Sequence, residues 1–253
     1  MKTNQDVYTT VEFDQWAGRE ELLPEERFLI SKYLATGGST LEAGTGGGRI
    51  ILACAAMGFQ RLSAFDFVPG FVEAARRRDT AKAVDFRVGD ARRLEYADGA
   101  FDQIIYLQQI LSLLESAEDR QQALREAARI VRPGGVALFS FLGYEARLRG
   151  RSSAMMLRYL RLLRAISGAK RSPQTLPWLN LGGKWNYGAL LDRGPYVYWY
   201  RIPEVHEFLS SAGFEITAAG VGHEVARGRI HESCAALAGS GAAGTIYVAC
   251  RRR

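Results

Sequence analysis

The sequence predicts an α/β fold built on a parallel sheet, and three observations lead to that prediction. Short apolar segments suited to buried strands alternate five times with segments of helical periodicity between residues 39 and 142. The turns between them are short and carry glycine or aspartate. After residue 200 the alternation resumes with one more helix and two more strands. Such alternation is typical of a sheet covered by helices on both faces.

The predicted elements follow one another in a regular order. An N-terminal helical segment occupies 1–37 and ends at paired glycines, which favour a helix stop. Pro69 and Pro203 each stand near the first turn of a predicted helix, where proline is tolerated. The predicted strands are 39–43, 61–66, 83–90, 101–107, 134–142, 214–221 and 244–253. The predicted helices between them are 47–59, 69–78, 120–131 and 202–213.

Composition favours a single cytoplasmic domain over residues 1–253. This length suffices for one large core. The N-terminus lacks the apolar stretch of a signal peptide, and no segment has 18 successive apolar residues, so we expect no membrane span. The three cysteines, Cys54, Cys234 and Cys250, are too scattered to predict disulfides or a metal site, which suits a reducing cytoplasm.

A glycine-rich motif, "LEAGTGGGR" at residues 41–49, joins the first predicted strand to a helix. Glycines at such a turn let backbone N–H groups approach a ligand closely. The motif also comes near the G-x-G-x-x-G pattern of dinucleotide-binding proteins, so a nicotinamide-dependent oxidoreductase stays open at this point.

Two acids stand at the ends of the next two predicted strands. Asp66 ends the second strand, where a carboxylate can accept both hydroxyls of a ribose. Asp90 ends the third, within reach of an adenine amino group. Either acid alone would also suit a helix cap. Together, on the carboxyl edge of a parallel sheet, they favour an adenosine site.

Further motifs follow in a fixed order: "FDFVPGFVEAAR", "VGDARRL", "FDQIIYLQQIL" and "ARIVRPGGVALFSF". With them, the chain resembles a class I S-adenosylmethionine-dependent methyltransferase over residues 20–142 and again from Tyr200 onward. The R-x-x-R-P-G-G turn within the last motif is habitual in that family and is not expected of nicotinamide dehydrogenases. The resemblance implies a Rossmann-like, doubly wound, seven-stranded and mostly parallel sheet with an antiparallel last strand. It also implies an inserted cap after the fifth strand, at 143–200.

The same resemblance implies which residues contact S-adenosyl-L-methionine, whose product is S-adenosyl-L-homocysteine. The glycines of the motif would surround the methionine part, with Glu42 beneath them facing the ammonium. Asp66 would hold the ribose, and Phe67 would lie along the adenine. Residues 106–108 would line the wall near the sulfonium. The expected cofactor residues are Glu42, Gly44, Thr45, Gly46, Gly48, Arg49, Asp66, Phe67, Asp90, Ala91, Tyr106, Leu107 and Gln108.

The acceptor is predicted from the residues after the fourth strand. Family members that methylate base amines or amides often carry an N/D-P-P-Y/F signature there, whereas this chain has "YLQQ". We therefore expect methyl transfer to an O or N atom of a small molecule, chiefly by proximity. RNA or protein methylation through the basic stretch 143–171 remains an alternative, because that stretch holds eight basic residues and one acid. A cofactor-binding protein without turnover is a further alternative.

The predicted cap carries aromatic residues and a basic, largely apolar helix at 152–167. The aromatics suit a flat acceptor or the core of the cap. A helix so apolar is expected to bury most of its surface, as a lid, as part of a homodimer, or as a peripheral contact with an anionic membrane. Its arginines also suit a solvated face, which needs no partner. The cap aromatics are Tyr144, Trp178, Trp185, Tyr187, Tyr196, Tyr198, Trp199 and Tyr200.

Three residues are candidates for orienting or deprotonating the acceptor. His223 and His231 follow the sixth predicted strand, and Tyr144 follows the fifth. His206 is expected on a solvated helix flank. No set of residues has convincing metal-ligand spacing, so no metal is expected.

Overall fold

The computed structural model describes residues 3–253, and a seven-stranded sheet forms its centre. The first two residues of the predicted segment 1–37 lie outside the described part of the chain. The strands are β1 (Ser39–Ala43), β2 (Arg61–Asp66), β3 (Val84–Val88), β4 (Phe101–Tyr106), β5 (Val131–Leu142), β6 (Thr175–Pro177), β7 (Asn180–Leu181), β8 (Lys184–Trp185), β9 (Tyr196–Tyr198), β10 (Phe214–Val221) and β11 (Thr245–Arg252).

The strand order in the large sheet is β10-β11-β5-β4-β1-β2-β3. β11 runs antiparallel to both of its neighbours, and the remaining pairs are parallel. The prediction of a Rossmann-like, seven-stranded, mostly parallel sheet with an antiparallel last strand is confirmed. β1 and β4 lie at its middle, so their carboxyl ends meet where the strand order reverses, the usual ligand position in such sheets.

Helices surround the sheet on both faces. They are α1 (Asn4–Thr10), α2 (Phe13–Gly18), α3 (Pro24–Tyr33), α4 (Arg49–Ala56), α5 (Pro69–Arg78), α6 (Ile110–Leu113), α7 (Ala117–Ile130), α8 (Glu145–Arg149), α9 (Arg151–Ser167), α10 (Ile202–Ser211), α11 (Gly222–Val225) and α12 (Cys234–Gly239). A 3₁₀ helix follows β8 at Tyr187–Leu191.

Local chemistry explains where these helices begin. α7 starts three residues earlier than predicted, because the Ser116 hydroxyl accepts a hydrogen bond from the Asp119 N–H at 2.9 Å and caps the helix. α5 has Pro69 in its first turn, as predicted. β5 starts at Val131, before the predicted strand, because Val131 already pairs with Phe101 of β4.

Two apolar cores hold the helices to the sheet. Leu124 of α7 and Leu209 of α10 are buried on one face. Ile30 of α3, Ile50 of α4 and Val72 of α5 are buried on the other. Apolar burial of this kind contributes about 25 cal/mol per Å² and fixes the sheet as the rigid base of the site.

Residues 143–200 lie between β5 and α10 and form a third, smaller cluster. β6 pairs with β9, and β7 pairs with β8. Tyr144 packs with Leu157, Leu160 and Leu176 in its interior. The expectation that the helix 152–167 buries most of its surface is wrong, because only a few of its side chains pack inward. Arg164 is one of them, so the arginines do not all lie on a solvated face, which was one of the alternatives.

Candidate active site

The glycine loop after β1 has a geometry that only glycine suits. Gly44, Gly46 and Gly48 have φ values of +62°, +54° and +83°. A Cβ on Gly44 would lie 2.1 Å from Ile110 Cδ1, and one on Gly47 would lie 2.1 Å from the Ala17 carbonyl oxygen. The loop therefore packs against two distant segments at once, the one after β4 and the N-terminal one.

Glu42 lies beneath this loop with no exposed surface. Its Oε2 accepts hydrogen bonds from Thr45 Oγ1 at 2.6 Å and from the Ile51 N–H at 3.1 Å. Its Oε1 has no partner. Burial raises the pKa of Glu42 to about 8, although the Thr45 hydroxyl and the Arg49 charge act in the opposite direction. A cation near the free oxygen would satisfy it and favour the ionised form.

Arg49 does not pair with Glu42. Its guanidinium binds Glu26 of α3, with Nη2 2.8 Å from Oε1, and both side chains are buried. Arg49 also donates to the Glu21 carbonyl at 2.9 Å. It thereby fastens the first turn of α4 to the N-terminal part of the chain while lining a cavity at this edge of the sheet.

Asp66 joins β2 to the glycine loop. Its Oδ2 accepts from the Gly46 N–H at 2.8 Å, and its Oδ1 accepts from the Val68 N–H at 2.9 Å. Burial raises the pKa of Asp66 against the effect of these N–H donors. Each carboxylate oxygen can accept a second hydrogen bond, so two acceptor positions remain for ligand hydroxyls. The neighbouring Phe67 ring is 43% exposed and lines the cavity.

Asp90 is held by a basic neighbour that the sequence analysis did not single out. Arg92 donates to both of its oxygens, at 2.7 to 3.0 Å, and reaches Asp119 at 3.1 Å. Partial burial raises the pKa of Asp90, but hydrogen bonds from the Arg92 side chain and backbone outweigh it, so the pKa lies below its usual value. An adenine amino group would have to share this carboxylate with Arg92.

The segment after β4 has an unusual backbone. Gln108 and Gln109 have φ values of +104° and +56°, which side chains other than glycine seldom adopt. Their N–H groups both donate to Ser140 Oγ, at 3.1 and 3.0 Å. Strain of this kind is frequent at functional sites. No sequence pattern predicted this backbone conformation of Gln108 and Gln109.

Two N-terminal helices cover the glycine loop, and the sequence analysis singled out none of their residues. The Trp16 carbonyl accepts the Gly47 N–H at 3.2 Å. Phe13 stacks on Phe71 of α5 with ring centroids 4.9 Å apart. Tyr8 lies edge-on to Trp178 at 5.8 Å. The aromatic residues in this otherwise polar segment were the sequence feature that could have indicated its role at the site.

Tyr8 presents a protonated hydroxyl to the site. Burial, followed by the negative charges of Glu12 and Asp66, raises the pKa of Tyr8 far above its usual value. The phenol is therefore a hydrogen-bond donor rather than a base at neutral pH.

These features enclose one cavity of about 400 Å³ at the carboxyl edge of the sheet, a size that suits a small ligand. Most of the predicted cofactor residues line it: Gly44, Thr45, Gly46, Arg49, Asp66, Phe67, Asp90, Ala91 and Gln108. Further lining comes from Thr3, Asn4, Gln5, Tyr8, Trp16, Val68, Phe71, Arg92, Ile110, Leu113, Leu114, Glu115 and Asp119.

Four predicted cofactor residues do not line the cavity. Glu42 lies beneath the glycine loop, and Gly48 lies at the start of α4. Tyr106 and Leu107 are buried instead of forming the expected wall. The Tyr106 ring packs 5.6 Å from that of Phe139 because alternate residues of β4 point into the helix-covered faces.

The three acceptor candidates do not reach the cavity either. Tyr144 is fully buried among leucines, with the Arg201 guanidinium 5.3 Å from its ring centroid. His223 lies on α11, which packs on α3, and His231 Nε2 lies 3.4 Å from Glu224. The physical reason is the strand order: β11, β5 and β4 separate β10 from β1, so residues after β10 lie at the far edge of the sheet.

The cap aromatics also fail to line the cavity, so of the two alternatives left by the sequence the flat-acceptor pocket finds no support. Several of them stack with arginines instead. The guanidinium-to-ring distances are 4.0 Å for Arg147 and Trp199, 4.0 Å for Arg171 and Tyr196, and 3.9 Å for Arg120 and Tyr198.

Comparison with known proteins agrees with this geometry. Residues 41–139 match the family model described as a methyltransferase domain. Residues 41–139 therefore carry a methyltransferase domain, which agrees with the resemblance to S-adenosylmethionine-dependent methyltransferases. This match gives the nicotinamide-dependent oxidoreductase of the sequence analysis no support.

The chain is similar to curated proteins that are named for different methyl-transfer reactions. It is 29% identical to a ubiquinone/menaquinone biosynthesis C-methyltransferase of Desulfotalea psychrophila, over 49% of this chain and 53% of that protein. It is 34% identical to a malonyl-[acyl-carrier protein] O-methyltransferase of Serratia marcescens, over 46% and 43%. The chain thus spans about half the length of these relatives.

Solved structures share the fold. An S-adenosylmethionine-dependent methyltransferase of Methanosarcina mazei has a TM-score of 0.66 at 17% identity, covering 88% of this chain and 96% of that one. The methyltransferase CcbJ of Streptomyces caelestis has a TM-score of 0.66 at 15% identity, covering 99% and 98%.

Proposed function

We propose that this protein transfers a methyl group from S-adenosylmethionine to an oxygen or nitrogen atom of a small-molecule acceptor. The observation that carries the proposal is the single cavity that joins the glycine loop, Asp66 and Phe67 to an apolar wall beneath the N-terminal helices. The cofactor, when bound, supplies a methyl group already activated on a sulfonium.

The residues around the cavity fit this cofactor. The unpartnered Oε1 of Glu42 suits an ammonium group, reached past the glycine loop. The free acceptor positions of Asp66 suit two ribose hydroxyls, each bond to a charged group contributing about 1.5–3 kcal/mol. Phe67 and Ala91 suit the two sides of an adenine ring.

The chain's own contribution is orientation and the exclusion of water. Trp16, Phe71, Ile110, Leu113 and Leu114 give the cavity its apolar wall. Such a wall holds two reactants in line and removes solvent between them, which lowers the barrier to a displacement reaction.

Three of the four carboxylates in the lining are already held by other groups, and the fourth, Glu115, is exposed. Asp66 is held by backbone N–H groups, and Arg92 holds both Asp90 and Asp119. Tyr8 is a protonated donor. These contacts support a reaction that proceeds chiefly by proximity, with Tyr8 available to orient the acceptor.

The basic stretch 143–171 gives no support for a macromolecular acceptor. None of its residues lines the cavity, so these basic side chains are not placed to contact the reacting atoms themselves. The small volume of the cavity likewise favours a small-molecule acceptor.

The proposal is tested by following the methyl group. The protein is incubated with methyl-labelled S-adenosylmethionine and a cell extract divided into dialysable and non-dialysable fractions. We expect label in dialysable products, and nuclear magnetic resonance of the labelled carbon should show attachment to oxygen or nitrogen. Label confined to protein or RNA would overturn the small-molecule acceptor, and attachment to carbon would overturn the assignment of the methylated atom.

A further inference from the structure

Helix α9 carries a stripe of exposed apolar side chains. Met155, Tyr159, Leu162 and Ile166 are 70%, 42%, 62% and 77% exposed. Their spacing of four, three and four residues places them on one side of the helix. The opposite side is buried through Leu157, Leu160 and Arg164. The exposed stripe is thus a fixed surface of a packed helix.

The stripe continues onto the 3₁₀ helix beside it. The Tyr159 hydroxyl donates to the Leu190 carbonyl at 2.6 Å, and this short helix also exposes apolar side chains. Contiguous apolar patches of this kind mark interaction sites on soluble proteins. We define the cap face as Met155, Tyr159, Leu162, Ile166, Tyr187, Leu190 and Leu191.

A buried ion cluster holds the two helices of the cap face together. Arg164 of α9 binds Asp192 through two hydrogen bonds of 2.7 Å, and Arg171 adds a third at 2.8 Å. Asp192 directly follows the 3₁₀ helix. The arrangement is therefore preformed and does not need a partner to order it.

The charge around the cap face is strongly positive. Residues 143–200 hold ten basic residues and two acids, while the rest of the chain holds 23 basic and 25 acidic residues. Of the two acids, Asp192 is neutralised by its paired arginines, and Glu145 accepts a hydrogen bond from the Ile202 N–H. Arg151 and Arg158 are exposed and lie within about 70° of the centre of the stripe on a helical wheel.

We propose that the cap face docks on the surface of an anionic lipid bilayer. Its apolar side chains would enter the boundary between headgroups and acyl chains, and the arginines beside them would contact lipid phosphates. This combination of an apolar stripe and a basic border is the pattern of a peripheral amphipathic helix. Among residues 3–253, no helix is long and apolar enough to cross a bilayer.

The charge and the apolar stripe of the cap face favour an anionic bilayer over a second copy of the chain or RNA. A second copy of the chain would bring two strongly positive segments against each other, which opposes a symmetric dimer through this face. RNA would satisfy the arginines and leave the apolar stripe in contact with phosphates and water. An anionic bilayer matches both the apolar and the basic part.

The docked surface is also connected to the proposed active site. Asn4 of α1 donates to the Tyr196 carbonyl at 2.7 Å and to the Leu113 carbonyl at 2.6 Å. Glu12 accepts the Gly182 N–H at 2.6 Å. The cap is thus bonded to the N-terminal helices that line the cavity. The docking proposal nevertheless stands without the methyl-transfer proposal.

The test is co-sedimentation of the 253-residue protein with vesicles of phosphatidylcholine alone or mixed with phosphatidylglycerol. We expect binding to the anionic vesicles only, falling as salt is added. The double variant Arg151→Glu, Arg158→Glu should weaken the partition coefficient about thirtyfold or more, since each basic residue near the surface contributes on the order of a factor of five. The variant Leu162→Ser, Ile166→Ser should weaken it as well.

The matched control is Arg77→Glu, Arg125→Glu, which changes the net charge equally on exposed helix positions outside the cap. It should weaken binding far less, and circular dichroism should show all variants folded. Equal loss in the control, or equal binding to neutral vesicles, would overturn the proposal. It would also be overturned if the wild type bound no anionic vesicles; a dimer that the serine variant abolishes, or binding of RNA, would then identify the occupant.

Discussion

Replacement of Glu42 by glutamine offers a quantitative test of the ligand that faces this buried carboxyl. The pKa of Glu42 is raised by burial to about 8. In the ligand-free protein, roughly one carboxyl in a hundred is then ionised at pH 6 and one in ten at pH 7. If the ionised form faces the cofactor ammonium, affinity should rise about tenfold over this interval. Glu42→Gln should abolish that rise.

The assay is calorimetric titration with S-adenosylhomocysteine at pH 6 and pH 7, in two buffers that differ in ionisation enthalpy. The wild type should release close to one proton per ligand bound, and Glu42→Gln should release none. Asp85→Asn is the control, because Asp85 is an exposed carboxylate paired with Arg87. A wild type without proton release, or a variant that keeps the pH dependence, would refute the pairing of Glu42 with the ammonium.

The same substitution has a consequence for stability. The folded-state pKa of Glu42 lies above its value of 4.5 in an unfolded chain. The protonated carboxyl therefore stabilises the fold fully below about pH 4.5, and this contribution is lost as the pH rises towards 8. Glu42→Gln should flatten that part of the dependence of the free energy of unfolding on pH, measured by denaturation in urea without ligand.

Three further substitutions test the site. Asp66→Ala should weaken cofactor binding at least about tenfold, since it removes two charge-assisted hydrogen bonds; unchanged affinity in calorimetry would contradict the ribose assignment. Gly44→Ala should lower the free energy of unfolding by about 1–3 kcal/mol, because its Cβ would meet Ile110 Cδ1 at a residue with positive φ. Adding Ile110→Ala to this variant should restore only the part of the stability that the steric contact removes. Denaturation curves that show no loss of stability for Gly44→Ala would argue against the loop geometry. His231→Ala should leave the rate of methyl transfer within about twofold, and a tenfold loss would contradict its position at the far edge of the sheet.

The sheet and the glycine loop were predictable because their signals are local. Alternation of apolar segments with helical periodicity determines strands and helices, and consecutive glycines indicate positive φ. Asp66 and Asp90 could be placed at one edge because parallel strands align their carboxyl ends.

The remaining features depend on contacts between distant residues. Arg164 is buried because Asp192, 28 residues away, neutralises it. The periodicity of a helix gives no information about a partner so far along the chain. Tyr8 and Trp16 line the cavity only because the N-terminal helices fold back over the glycine loop. The histidines after β10 were misplaced because sequence order does not give the order of strands in a sheet.

The most direct measurement of the central claim is a crystal structure of the protein with S-adenosylhomocysteine. We predict the adenosine between Phe67 and Ala91, with the ribose hydroxyls on Asp66, the ammonium towards Glu42 and the sulfur facing the apolar wall beneath Trp16. Electron density for the ligand outside this cavity, or no binding at ligand concentrations that saturate related methyltransferases, would contradict the claim.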